Sequence, residues 1–160
     1  MPQAGRTNRL IAVTLDAATI GRATPDVEHE RAVAIYDLLE ENSCAPASRD
    51  GGPYKLVLSI VDKGLVFDVR DEADRPVVMH ILAMTPFRKI VKDYFLICES
   101  YYKAIRERGV AQVEAIDAGR RSLHNEGAEL LTERLAGKVA IDHATARRLF
   151  TLLCVLHLRA

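Results

Sequence analysis

The spacing of apolar residues changes along the chain, and each change predicts an element. RLIAVTLD, Arg9 to Asp16, gathers branched residues into a short run that reads as a strand. In TPDVEHERAVAIYDLLEEN the period lengthens: Val27, Arg31, Ala34, Ile35 and Leu38 recur at helical spacing, with the arginine as the one polar interruption. Thr24 is placed to cap that helix, and Pro25 takes its first position, where a missing N–H costs nothing. SCAPASRDGGP, Ser43 to Pro53, keeps no period and is punctuated by Gly and Pro, which predicts a loop.

Three strand-like runs follow, YKLVLSIVD, LVFDVRDE and PVVMHILAM, joined through Asp62-Lys63-Gly64 and Ala73-Asp74-Arg75-Pro76. Together they predict an antiparallel meander. Alternation assigns Leu56, Leu58, Ile60, Leu65, Phe67, Val69, Val77, Met79 and Ile81 to the face that helices cover. His80 then falls on the outer face, near Asp68 and Ser59.

The second half is helical. Thr85-Pro86 repeats the cap-and-proline device, and Phe87, Ile90, Val91, Tyr94, Ile97, Cys98, Tyr101 and Ile105 draw one apolar stripe that ends at Gly109. A further helix from about Val110 to Leu135 turns Val113, Ile116, Leu123, Leu130 and Leu131 inward and stops at Gly137. Asp142 is placed to cap a last helix whose run from Leu149 to Leu158 is apolar nearly all round, which predicts a central position. The fold expected is α+β: a four-stranded, mostly antiparallel sheet, one N-terminal strand plus the three-stranded meander, covered by about four helices. One globular domain is expected over residues 1–160, with residues 1–8 as a flexible tail.

Charge adds one asymmetry. The 22 basic and 22 acidic side chains balance, which gives no reason to expect nucleic acid as a partner. Residues 1–80 hold 9 basic and 13 acidic groups, however, and residues 81–160 hold 13 and 9, so an anion would find its host in the second half. Cys44, Cys98 and Cys154 are odd in number and lack CxxC spacing. With no secretory signal and no run long enough to span a bilayer, the expected address is the cytoplasm, away from membranes.

Strong chemical motifs are missing. GxGxxG, Walker-type and GxSxG patterns do not occur, so dinucleotide, P-loop and serine-hydrolase readings lose their usual support. His29-Glu30 opens like a zinc helix, but Val33 stands where the second histidine is needed. Asp26, Glu28, His29 and Glu30 read more simply as complements to a helix dipole, so neither a metal nor a cofactor is expected.

The densest polar segment is GRRSLHNEGAEL, Gly119 to Leu130. Asp117, Arg121 and His124 project together on a helix, and Arg120 and His124 are four apart. Arg120, Arg121, His124, Asn125 and Arg148 are the candidate ligand-binding residues, with Arg147-Arg148 completing an anion pocket if the two helices are neighbours. His124, Glu126 and Asp117 are the candidate catalytic residues, the imidazole as acid or base and a carboxylate orienting it. Two helical glycines, Gly119 and Gly127, mark close approach, either by a ligand or by a neighbouring helix with a break capped by Asn125.

TPDVEHERAVAIYDLLEEN, TPFRKIVKDYFLICESYY, IDAGRRSLHNEGAELLTERL and ARRLFTLLCVLHLR together resemble a small family of alphaproteobacterial proteins, uncharacterised protein family 0262. The resemblance runs from Arg9 onward and implies kinship without an activity, cofactor or catalytic residue to transfer. Three functions follow from the residues: a binding or regulatory module for a small anionic ligand or protein partner, a small enzyme acting on a phosphorylated or carboxylated metabolite, and a self-associating structural subunit, for which a homo-oligomer and an exposed apolar patch are the signature.

Overall fold

Alternating branched side chains set β1 (Leu10–Leu15) and three longer strands, β3 (Tyr54–Val61), β4 (Gly64–Asp71) and β5 (Pro76–Ala83), into one sheet in the order β1-β3-β4-β5. The computed structural model describes residues 7–16, 25–49, 51–107 and 109–157. β1 runs parallel to β3, and the remaining pairs are antiparallel, as the meander requires. Four helices cover this sheet: α1 (Pro25–Glu40), α2 (Arg88–Glu107), α3 (Val110–Leu135) and α4 (His143–His157). The expected α+β architecture is therefore the observed one. The Thr24 cap and Leu158 lie outside the described residues, as do residues 1–6 of the expected tail.

Several local devices hold these elements in place. Asn42 joins the end of α1 to β1: its Oδ1 accepts from Leu10 N at 2.6 Å, and its Nδ2 donates to Leu10 O at 2.9 Å and Leu38 O at 2.8 Å. Asn8 O accepts from Cys44 N at 2.9 Å, so the chain is already tied down before β1 begins. Asp62, at φ 56°, makes the tight turn between β3 and β4, and Asp71 accepts from the N–H groups of Ala73 and Arg75, both at 2.9 Å, to close the next corner. A bridge between β2 (Ala45–Pro46) and β6 (Val139–Ala140) pins the long loop to the segment before α4. Nothing in the sequence pattern announced it.

β5 corrects the expected phase by one residue. Val69 opposes Val78, but Arg70 opposes Pro76, so Val77 is an extra residue at a bulge. Val78, His80 and Leu82 consequently face inward beside Val69, Phe67 and Leu65, while Met79 and Ile81 face outward and stand 58% and 66% exposed. His80 is opposite Phe67 on the covered side, half-buried, rather than beside Asp68. The strand carries apolar residues at both parities, so alternation alone could not choose between them.

Helix α4 is central. Leu149 to Leu156 are all buried, against α1, α3 and β3. Asp142 Oδ1 accepts from Thr145 N at 2.8 Å and supplies the cap that the sequence predicted. Among the described residues no helix is long and apolar enough to cross a membrane.

Candidate functional site

The glycine-flanked segment lies within one unbroken helix, with no second start at Asn125. Both glycines are explained by neighbouring side chains. A Cβ on Gly127 would lie 2.4 Å from the Phe150 ring of α4, and one on Gly119 would lie 2.7 Å from Ile97 Cδ1 of α2. The close approach is helix against helix, and it brings the polar face of α3 against the first turns of α4.

Arg120, not Arg121, is the inward arginine. Its Nη2 lies 2.9 Å from Asp117 Oδ1, its Nη1 lies 3.2 Å from Glu30 Oε1 on α1, and its guanidinium carbon sits 4.2 Å from the Tyr101 ring centre. Tyr102 completes the cluster by donating to Glu30 Oε1 at 2.6 Å. Arg121 is 63% exposed and, among the described residues, reaches only Asp117, at 3.3 Å. Carboxylates thus occupy the Arg120 fork that was expected to hold a ligand, and Asp117 is bound to both arginines instead of orienting His124. One helical position separates the two arginines, about 100° of rotation, which is why the expected grouping with Arg121 was displaced.

His124 points between the helices. Its Nε2 lies 2.6 Å from Arg147 O and 2.9 Å from Thr151 Oγ1. A carbonyl oxygen only accepts, so Nε2 carries the proton, and Nδ1 keeps a lone pair toward Arg147 Nη2 at 3.5 Å. The ring stacks on Tyr94 with centres 5.4 Å apart. Burial, followed by the Arg147 charge, pulls the His124 pKa from 6.5 down to about 4, so the ring is neutral near pH 7.

Beside it lies a cavity of about 210 Å³, walled by Glu30, Val33, Ala34 and Asp37 of α1 and by His124, Arg147 and Arg148. Arg147 differs from Arg120. Its Nε is buried without a hydrogen-bond partner, and no carboxylate among the described residues pairs with it. Among the described residues Arg148 reaches only Glu41 O, at 3.5 Å. Of the expected ligand-binding residues, His124 and Arg148 line this cavity; Arg120, Arg121 and Asn125 do not. Glu126 is exposed, and Asn125 Oδ1 meets His143 Nε2 at 3.3 Å on the surface. Asp37 is a charged lining residue outside the expected set, brought there by the packing of α1 against α4 rather than by local pattern.

The acidic residues at the start of α1 face cations: Asp26 is 3.8 Å from Arg106, and Glu28 is 3.6 Å from Arg31. No group of three metal-ligating side chains occurs among the described residues. A larger cavity, about 660 Å³, opens between α1, α2 and α4 and is lined mostly by apolar groups, among them Val91, Phe95 and Val155. Cys98 and Cys154 also line it. Burial pushes the Cys98 thiol up to about 11 and Cys154 well above its ordinary value, which leaves both protonated and unreactive near neutral pH.

The model of an uncharacterised protein family, UPF0262, matches residues 7–159. Among its similar relatives, the UPF0262 protein of Agrobacterium fabrum is 62% identical over 151 residues, covering 94% of this chain and 96% of its own. That of Rhizobium meliloti is 60% identical over 157 residues, covering 98% and 99%. A Bradyrhizobium relative is 59% identical over 157 residues, covering 98% and 94%. No solved structure matches the chain significantly.

Proposed function

From the premise that the chain belongs to UPF0262, an uncharacterised protein family, we propose that it is a binding module that holds a small anionic ligand between α1, α3 and α4. One observation carries this reading: Arg147 lines this cavity half-buried, its Nε is buried without a hydrogen-bond partner, and no carboxylate among the described residues forms an ion pair with it. Burying a cation without a counter-ion is costly, and a carboxylate or phosphate bound to the guanidinium fork would offset that cost. Arg148 adds a second positive charge at the same wall.

The expected alternative, an enzyme with His124 as acid or base, has less support. Nε2–H is engaged with Arg147 O, and Nδ1 faces the Arg147 guanidinium. A ring held neutral by burial keeps little proton to give near pH 7 and makes a weak base. His124 fits better as the group that positions Arg147.

Thermal unfolding at fixed ionic strength tests the binding reading. Inorganic phosphate or acetate at millimolar concentration should raise the melting temperature above that in chloride, and Arg147→Gln should remove the rise while Arg75→Gln, on the remote β4–β5 turn, keeps it. Equal melting temperatures in phosphate, acetate and chloride would overturn it.

A further inference from the structure

The same cavity carries a second unmet charge, and we infer from the pair that its ligand is a small zwitterion, with a carboxylate held by Arg147 and an ammonium held by Asp37. This rests on the anion site proposed above and adds the ligand's other end. Asp37 lines the cavity from α1, and its carboxylate makes no hydrogen bond or ion pair with any described residue. Arg147 lines it from α4, equally without a carboxylate partner. The two are not within ion-pair distance of one another, so one cavity holds an acid and a base that leave each other unneutralised. Glu30, the other carboxylate in the lining, is already taken by Arg120 at 3.2 Å and Tyr102 at 2.6 Å, which leaves Asp37 as the open acceptor.

A simple anion would satisfy Arg147 but sit against Asp37, and a simple cation would meet the reverse conflict with Arg147 and Arg148. A molecule with both charges satisfies both walls. Val33, Ala34 and Ala144 offer apolar surface, which suits a short alkyl spacer. The volume, about 210 Å³, equals that of roughly seven waters at ~30 Å³ each, the scale of a short amino acid and too small for a nucleotide.

Calorimetric titration of the full chain near pH 7.5 tests this with ω-amino acids from glycine to 6-aminohexanoate, each beside the carboxylic acid and the amine of the same length. The expected result is one chain length that binds at least tenfold more tightly than its acid-only and amine-only counterparts. Asp37→Asn should erase that tenfold advantage by weakening the amino acid and, with the repelling charge gone, tightening the acid alone; Arg147→Gln should abolish binding of the amino acid and the acid alike. If the acid binds as well as the amino acid and only Arg147→Gln weakens it, the anion site stands and the zwitterion is overturned. If no probe of either kind binds, both are overturned.

Discussion

Phe150 occupies the space that any side chain on Gly127 would need: a Cβ there would lie 2.4 Å from two carbons of the ring. The ring is fully buried and cannot swing away. Gly127→Ala should therefore destabilise the fold by about 1–3 kcal/mol through overpacking, despite alanine's better helix propensity. Denaturant unfolding of Gly127→Ala alone and with Phe150→Leu would show partial recovery in the double variant; equal losses would place the cost elsewhere.

Gly119 predicts the opposite sign. Its nearest obstacle is Ile97 Cδ1 at 2.7 Å, the far end of a flexible side chain that can turn aside. Replacing the glycine then recovers helix propensity, and Gly119→Ala should leave stability unchanged or raise it by up to about 1 kcal/mol. A loss above that size in the same unfolding assay would mean that Ile97 is held in place.

His124 makes stability depend on pH. Its folded pKa lies near 4, lowered from 6.5 first by burial and then by Arg147. The unfolded chain takes up that proton as the pH falls below 6.5, while the folded chain resists it until about 4. The stability linked to this ring is thus fully present above pH 6.5 and is lost as the pH falls to 4, by at most about 3–4 kcal/mol at ~1.4 kcal/mol per pKa unit. His157, also lowered by burial and then by Arg88, acts in the same direction. His124→Phe keeps an aromatic ring against Tyr94 and should flatten this slope in unfolding curves taken between pH 4 and 7; an unchanged slope would assign it to other groups.

The two adjacent arginines of α3 should separate cleanly. Arg120→Ala removes the counter-charge of two half-buried carboxylates, Glu30 and Asp117, and should cost about 1–3 kcal/mol, between the worth of exposed and of fully buried pairs. Arg121→Ala removes one exposed contact and should change stability by less than about 0.5 kcal/mol. Comparable losses for the two would contradict the assignment of Arg120 as the inward residue.

The sequence reading reached the four strands, the four helices and the central burial of the last helix because each rests on local spacing and on caps such as Asp142. It also named His124 and Arg148, which line the smaller cavity. It missed the phase of β5, where Val77, Met79 and Ile81 compete with Val78 and Leu82 and only a bulge decides between the two sets. It grouped Arg121 with His124 because helical spacing does not reveal which arginine meets a carboxylate 90 residues away, as Arg120 meets Glu30. Asp37 belongs to the same class of non-local fact: α1 must first lie against α4 before it lines one cavity with Arg147.

The burial of α4 has a mechanical consequence. This helix changes from wet to dry along its axis, from exposed His143 and Ala144 to the enclosed Leu149–Leu156 segment, instead of having one wet and one dry side. Sliding it along its axis would raise or lower its two arginines. The stop against sliding sits at its mouth, where Ser43 N donates to Thr145 Oγ1 at 2.9 Å and Ser43 Oγ accepts from Asp142 N at 2.8 Å. A serine in the loop after α1 thus works as a depth gauge for guanidiniums that the chain supplies from its opposite end.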